Sequence, residues 1–260
     1  MKEKIIEIKS KLLSFIKKHQ KKIIITASAV AVVLVIVISC AIYVGNYYRV
    51  DNAAVTEFLS SKMVTSTLST DKDGHIIAMP SEVKAGLIFY PGGKVAAEAY
   101  VPLMVALAER GILCVLTPMP YNLAVLDVNA AKGVQDKFPQ VESWYIGGHS
   151  LGGSMAASYL SNNTDDFDGL ILLGSYSTKD VSACRVITIL GSEDEVTNMK
   201  KYEKYKVNIP LGCEEVLITG GNHAYFGMYG EQKGDGRATI TPAEQIIRTA
   251  GRIAGFIAGN

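Results

Sequence analysis

Residues Gly148-His149-Ser150-Leu151-Gly152 have the spacing G-x-S-x-G, in which a sharp strand-to-helix turn holds a serine hydroxyl above a sheet. The glycines fit such a turn because it is strained and brings two backbones close together. A serine hydroxyl is a weak nucleophile at its ordinary pKa, so it needs a base, and the base needs a carboxylate to orient it. The chain has four histidines. His19 lies ahead of a long apolar run, His75 falls in a predicted hairpin, and the side chain of His149, next to the serine, is expected to diverge from it. That leaves His223, in Gly220-Gly221-Asn222-His223-Ala224. Asp194, reached through Gly191-Ser192-Glu193, is the expected acid, with Glu193 and Glu195 flanking it as alternatives. Two backbone N–H groups are needed to stabilise an oxyanion. Leu151 is expected to give one, and either Gly93 or Lys94, in Tyr90-Pro91-Gly92-Gly93-Lys94, the other. The plain structural alternative is a glycine-rich turn with a surface serine.

These residues need elements to position them. Short runs rich in Val, Ile and Leu predict strands at 86–90, 112–116, 144–147, 169–174, 186–190 and 216–219. Helical patterns lie between and beyond them, at 96–110, 123–137, 151–161, 196–205 and 242–258. Continuous apolar runs separated by helices indicate buried parallel strands in an α/β sheet. Thr241-Pro242-Ala243-Glu244 reads as a capping box with proline at the first helical position. Upstream, 51–62 reads as a helix, and 64–70 with 75–79 as a hairpin turned at Asp71-Lys72-Asp73-Gly74. The serine then sits where a strand hands over to a helix, and Asp194 and His223 follow the carboxyl ends of later strands, where α/β sheets place their sites.

On Phe89-Tyr90-Pro91-Gly92-Gly93, Gly147-Gly148-His149-Ser150-Leu151-Gly152-Gly153 and Gly191-Ser192-Glu193-Asp194, the chain resembles the α/β-hydrolase superfamily. The stretch from Gly221-Asn222-His223 through Phe226-Gly227 to Gly234-Asp235-Gly236 narrows the likeness to its dienelactone-hydrolase-like group, called α/β-hydrolase fold-5. The resemblance spans roughly residues 64–258. It implies an α/β-hydrolase fold, a Ser150, His223, Asp194 triad in that chain order, no metal and no organic cofactor. Dienelactone hydrolases use a cysteine nucleophile, so Ser150 argues against that activity. The expectation is a serine esterase acting on a small acyl ester. A peptidase or transacylase with the same triad, or a catalytically silent scaffold, are the other readings. The connection 176–185 is too short for a large cap domain, so an open site for short acyl chains is expected.

The charge pattern divides the chain. There are 26 Lys plus Arg and 25 Asp plus Glu, a net +1 that would not recruit nucleic acid, and with 48% hydrophobic residues a disordered tail is excluded. Residues 1–22 hold eight Lys and two Glu, a local charge of +6. Residues 23–44 carry no charge and, as a helix of about 33 Å, match a hydrocarbon core of about 30 Å. The expected organisation is a basic cytoplasmic segment 1–22, a transmembrane helix 23–44 and an extracytoplasmic domain 50–260, by the positive-inside rule. Ile5, Ile8, Leu12 and Phe15 give residues 3–18 an apolar face that suits the anionic inner leaflet. A cleaved signal peptide fits less well, because its parts are shorter. A lipoprotein box at Val37-Ile38-Ser39-Cys40 fits less well too, because the apolar run continues past the cysteine. Cys184 and Cys213 precede neighbouring strands and are a candidate disulfide, whereas no metal-binding spacing is present. The sequence leaves the oligomeric state open.

Overall fold

The computed structural model describes residues 2–61 and 66–259, Ile23 by its backbone alone. It contains two compact units, Met1–Asn46 and Tyr47–Asn260. The first is one helix, α1 (Lys2–Gly45). Its stretch Ile24–Gly45 is long and apolar enough to cross a membrane, and most of its Ile, Val and Leu side chains are exposed along the helix.

The second unit opens with α2 (Asn52–Ser60), capped by Asp51, whose Oδ1 accepts from Ala54 N at 3.0 Å. The predicted continuation of this helix to Lys62, and the first residues of the hairpin, Val64 and Thr65, lie outside the described residues. Eight strands follow among the described residues: β1 (Thr67–Thr70), β2 (Ile76–Met79), β3 (Ala85–Tyr90), β4 (Ile112–Leu116), β5 (Trp144–His149), β6 (Gly169–Leu173), β7 (Val186–Gly191) and β8 (Glu214–Ile218). They form one sheet in the order β1-β2-β4-β3-β5-β6-β7-β8. β1 and β2 are the predicted hairpin and join antiparallel, while β4, β3 and β5 to β8 run parallel.

Every residue of β3, β4, β5 and β6 is buried, because helices cover both faces. Side chains alternate between the two layers: Leu87 and Phe89 pack with α3 (Val101–Ala108) and α6 (Pro242–Ala258), Ile88 and Tyr90 with α4 (Leu151–Leu160). α5 (Met199–Tyr205) leads into β8. Of the expected capping box the N-cap half forms, with Thr241 Oγ1 accepting from Glu244 N at 3.2 Å, while the Glu244 carboxylate pairs with Arg248.

Four expectations are corrected. Residues 123–137 form 3-10 turns at Ala124–Leu126 and Gln135–Lys137 instead of a helix. The buried Tyr90 hydroxyl claims this segment's backbone, donating to Val128 O at 2.9 Å and accepting from Ala131 N at 2.8 Å, and Gly133 takes φ +73°. The helix expected from Ala96 begins as a 3-10 turn, Ala97–Tyr100, and the one expected from Val196 starts at Met199, where Asn198 Oδ1 accepts from Lys201 N at 3.0 Å. Cys184 and Cys213 are both free thiols, so the candidate disulfide is not formed. Between β6 and β7 lie only turns, which leaves no cap domain at that point.

Candidate active site

Ser150 stands between β5 and α4 with φ 53° and ψ −122°, a conformation few non-glycine residues adopt and which the surroundings must hold in place. Its N–H donates to Leu173 O at 2.9 Å, and its carbonyl accepts from Ser175 Oγ at 2.7 Å. The flanking glycines are required by close approach. A Cβ on Gly148 would lie 2.5 Å from Tyr90 O, and one on Gly152 would collide with the Tyr90 and Pro91 carbonyls.

Asp194 and His223 leave the carboxyl ends of β7 and β8 and meet, His223 Nδ1 lying 2.9 Å from Asp194 Oδ2 with both side chains buried. The carboxylate also accepts from Val196 N at 2.9 Å, Thr197 N at 2.8 Å and Thr197 Oγ1 at 2.7 Å. Burial pushes the Asp194 carboxyl up, but the hydrogen bonds from His223 and Thr197 outweigh it and hold it at about 2. Asp194 is thus the residue placed against the imidazole, rather than its neighbours Glu193 and Glu195. With Nδ1 turned to the acid, Nε2 is the ring nitrogen left for a serine. Ser150 and His223 line one cleft of ≈ 250 Å³ with Leu151, Ser154, Tyr176 and Thr197. No hydrogen bond joins Ser150 Oγ to the ring among the described residues, a looseness common in catalytic pairs before substrate arrives.

His149 does turn away from the serine, as expected, but it lands on the other imidazole, with ring centroids 4.4 Å apart. The Tyr100 oxygen accepts from Gly92 N at 3.1 Å and shares a hydrogen bond with His149 Nδ1 at 2.7 Å. Burial, reinforced by the neighbouring His223, drives the His149 pKa well below the ordinary value and keeps this ring neutral. Its buried Nε2 has no hydrogen-bond partner among the described residues.

The loop after β3 discriminates between the two expected oxyanion donors. Lys94 N donates to Asn122 O at 2.7 Å, so Lys94 is corrected: its amide is already spent. Gly92 N is taken by Tyr100. Gly93 N and Leu151 N have no acceptor among the described residues, and a Cβ on Gly93 would lie 2.9 Å from the Leu151 side chain. The segment following α1 braces this loop. Tyr48 N donates to Lys94 O at 2.7 Å, Tyr48 O accepts from Ala96 N at 2.9 Å, and Asp51 N donates to Met228 O at 2.9 Å.

Thr197, Tyr100 and the contact between His149 and His223 were missed in the sequence. Only Thr197 had a local signal, since Asp194-Glu195-Val196-Thr197 has the spacing of an Asx turn. Among the described residues, the one cluster with metal-ligand geometry is Asp71, Asp73 and His75. Lys137 Nζ already pairs there with both carboxylates, at 2.7 and 2.6 Å.

Residues 86–247 match the family model described as the alpha/beta hydrolase family. No curated protein sequence matches the chain. Among solved structures, a predicted CIB-like hydrolase from Thermoplasma acidophilum is 16% identical with a TM-score of 0.51, covering 73% of this chain and 99% of its own. Est1E from Butyrivibrio proteoclasticus, solved with ferulic acid bound, is 14% identical with a TM-score of 0.55, over 74% and 99%. The dienelactone hydrolase from Anabaena variabilis is 10% identical with a TM-score of 0.55, over 75% and 98%. At these identities the neighbours show the shared fold.

Proposed function

Because the chain belongs to the alpha/beta hydrolase family, we propose that it is a serine hydrolase of small acyl esters, held at a membrane by its N-terminal apolar helix. The observation that carries this reading is the buried Asp194–His223 pair opening onto the same cleft as Ser150, whose backbone is strained. Ser150 Oγ attacks the acyl carbon as His223 Nε2 takes its proton. The oxyanion is met by the Leu151 and Gly93 amides, and collapse expels the alcohol with the proton returned from His223. Water, deprotonated by the same imidazole, then hydrolyses the acyl-enzyme and frees Ser150. Asp194 holds the ring and stabilises the imidazolium without taking its proton.

The modest cleft and the turns in place of a cap favour short acyl chains. The eight lysines ahead of the span favour a cytoplasmic N-terminus and an extracytoplasmic catalytic domain. The test uses the full chain in detergent, a fluorophosphonate probe and a panel of short esters, thioesters, lactones and amides. Labelling and ester turnover that both vanish in Ser150→Ala, by about 10⁴-fold or more, are the expected result. Folded wild-type protein that neither labels nor turns over any substrate would point to a silent scaffold, and turnover of long-chain lipid alone would remove the short-acyl assignment.

A further inference from the structure

The triad leaves unexplained the acidic residue of Gly234-Asp235-Gly236, a stretch on which the family resemblance partly rests. In the structure its carboxylate reaches two loops at once. Asp235 Oδ2 accepts from Ala224 N at 2.8 Å, the amide directly after His223. Asp235 Oδ1 accepts from Glu195 N at 3.3 Å, the amide directly after Asp194, and from its own neighbour Gly236 N at 2.9 Å. The loop carrying Asp235 is tied back on the other side of His223, where Asn222 Nδ2 donates to Gly236 O at 2.9 Å. Its position is fixed further by Lys233 N, which donates to Tyr48 Oη at 3.1 Å.

The acid and the base arrive on loops from different strands, β7 and β8. Each loop alone could shift without breaking its strand, and a misplacement of about 1 Å at a reacting group can cost about 10²-fold in rate. One carboxylate bonded to the amide after each residue opposes such a shift, because moving either loop breaks a hydrogen bond to it. We propose that Asp235 is a positioning residue for the hydrolytic reaction, clamping the loops of Asp194 and His223 so that their side chains keep contact as the ring gains and loses its proton. The inference rests on the triad reading given above.

The test compares wild type, Ser150→Ala, Asp194→Asn, Asp235→Ala, Asp235→Asn and the double variant Asp194→Asn/Asp235→Ala, each as the full chain in detergent. Asp235→Ala is expected to lower kcat on a short activated ester by about 10²-fold, with KM within about threefold because no substrate contact is lost. Asp235→Asn, which keeps one carbonyl oxygen as acceptor, is expected to fall in between. In the Asp194→Asn background, Asp235→Ala is expected to cost less than about threefold, since a clamp acting through the pair has nothing left to align. Independent losses that multiply in the double variant would overturn the proposal, as would a melting temperature that drops while kcat stays at wild type. If Asp235→Ala does not fold, a wild-type kcat in folded Asp235→Asn overturns it equally. Full activity in Ser150→Ala removes the triad and the inference together; an inert Ser150→Ala beside a fully active Asp235→Ala removes the inference alone.

Discussion

The two ends of the parallel strands carry clefts of different character. At the amino ends lies the roomier one, ≈ 410 Å³, lined by Cys184, Arg185, Glu214 and Phe256 among others. At the carboxyl ends lies the ≈ 250 Å³ cleft of Ser150 and His223. Four non-glycine residues among those described have positive φ: Lys94, Tyr121, Asn122 and Ser150. All four follow the carboxyl ends of β3, β4 or β5. The buried acid–base pair is at that end too. Arg185, by contrast, is absorbed in structure: its guanidinium donates to Phe256 O at 2.7 Å and lies 4.7 Å from that residue's ring centroid. Volume is therefore a poor guide to chemistry here. Stored backbone strain and a buried acid–base pair set the carboxyl end apart, because both cost stability and persist only where the surroundings enforce them.

Substitutions at each end test that contrast. At the carboxyl end, Asp194→Asn should lower kcat by about 10³–10⁴-fold through loss of the correct ring orientation, measured on the ester that wild type turns over. A loss under tenfold would erase the distinction between the ends. Acid should then weaken the same end. The Asp194 carboxyl lies at about 2 in the folded protein, below its ordinary 3.8, so its contribution is complete above the unfolded value and lost as pH falls through the folded one. That contribution, about 2 kcal/mol, should appear in urea unfolding of wild type between pH 5 and pH 2 and be missing from Asp194→Asn. At the amino end, Arg185→Ala should cost about 1 kcal/mol of stability with kcat unchanged, read from the urea midpoint beside a rate assay. Smallest of all, Cys184→Ser/Cys213→Ser should leave kcat and the non-reducing mass pattern as they were, apart from the substitutions themselves; a disulfide found in wild type would contradict the free thiols.

The sheet was legible because its strands announce themselves locally: Gly-Leu-Ile-Phe-Tyr and Gly-Leu-Ile-Leu-Leu can be buried on both faces only inside a covered parallel layer. Ser150 and Asp194 stood out through turn sequences at strand ends, where a few residues dictate backbone shape, and His223 through elimination among four histidines and its place after the last strand. What escaped depends on partners far along the chain. Residues 123–137 look helical until the hydroxyl of Tyr90 intervenes. His149 looked like a bystander because nothing in its neighbourhood mentions Tyr100 or the ring of His223. Lys94 and Gly93 were inseparable because the deciding acceptor, Asn122 O, belongs to a different loop.

Tyr48 lies only three residues beyond the last residue of α1, yet its backbone is stitched into the loop that presents Gly93. Shedding of the globular part by a protease therefore has a narrow margin. A cut at residue 46 would leave the Tyr48 and Asp51 hydrogen bonds to the globular part in place, while a cut a few residues later would remove them. Exchanging the anchor for another would have to respect the same seam.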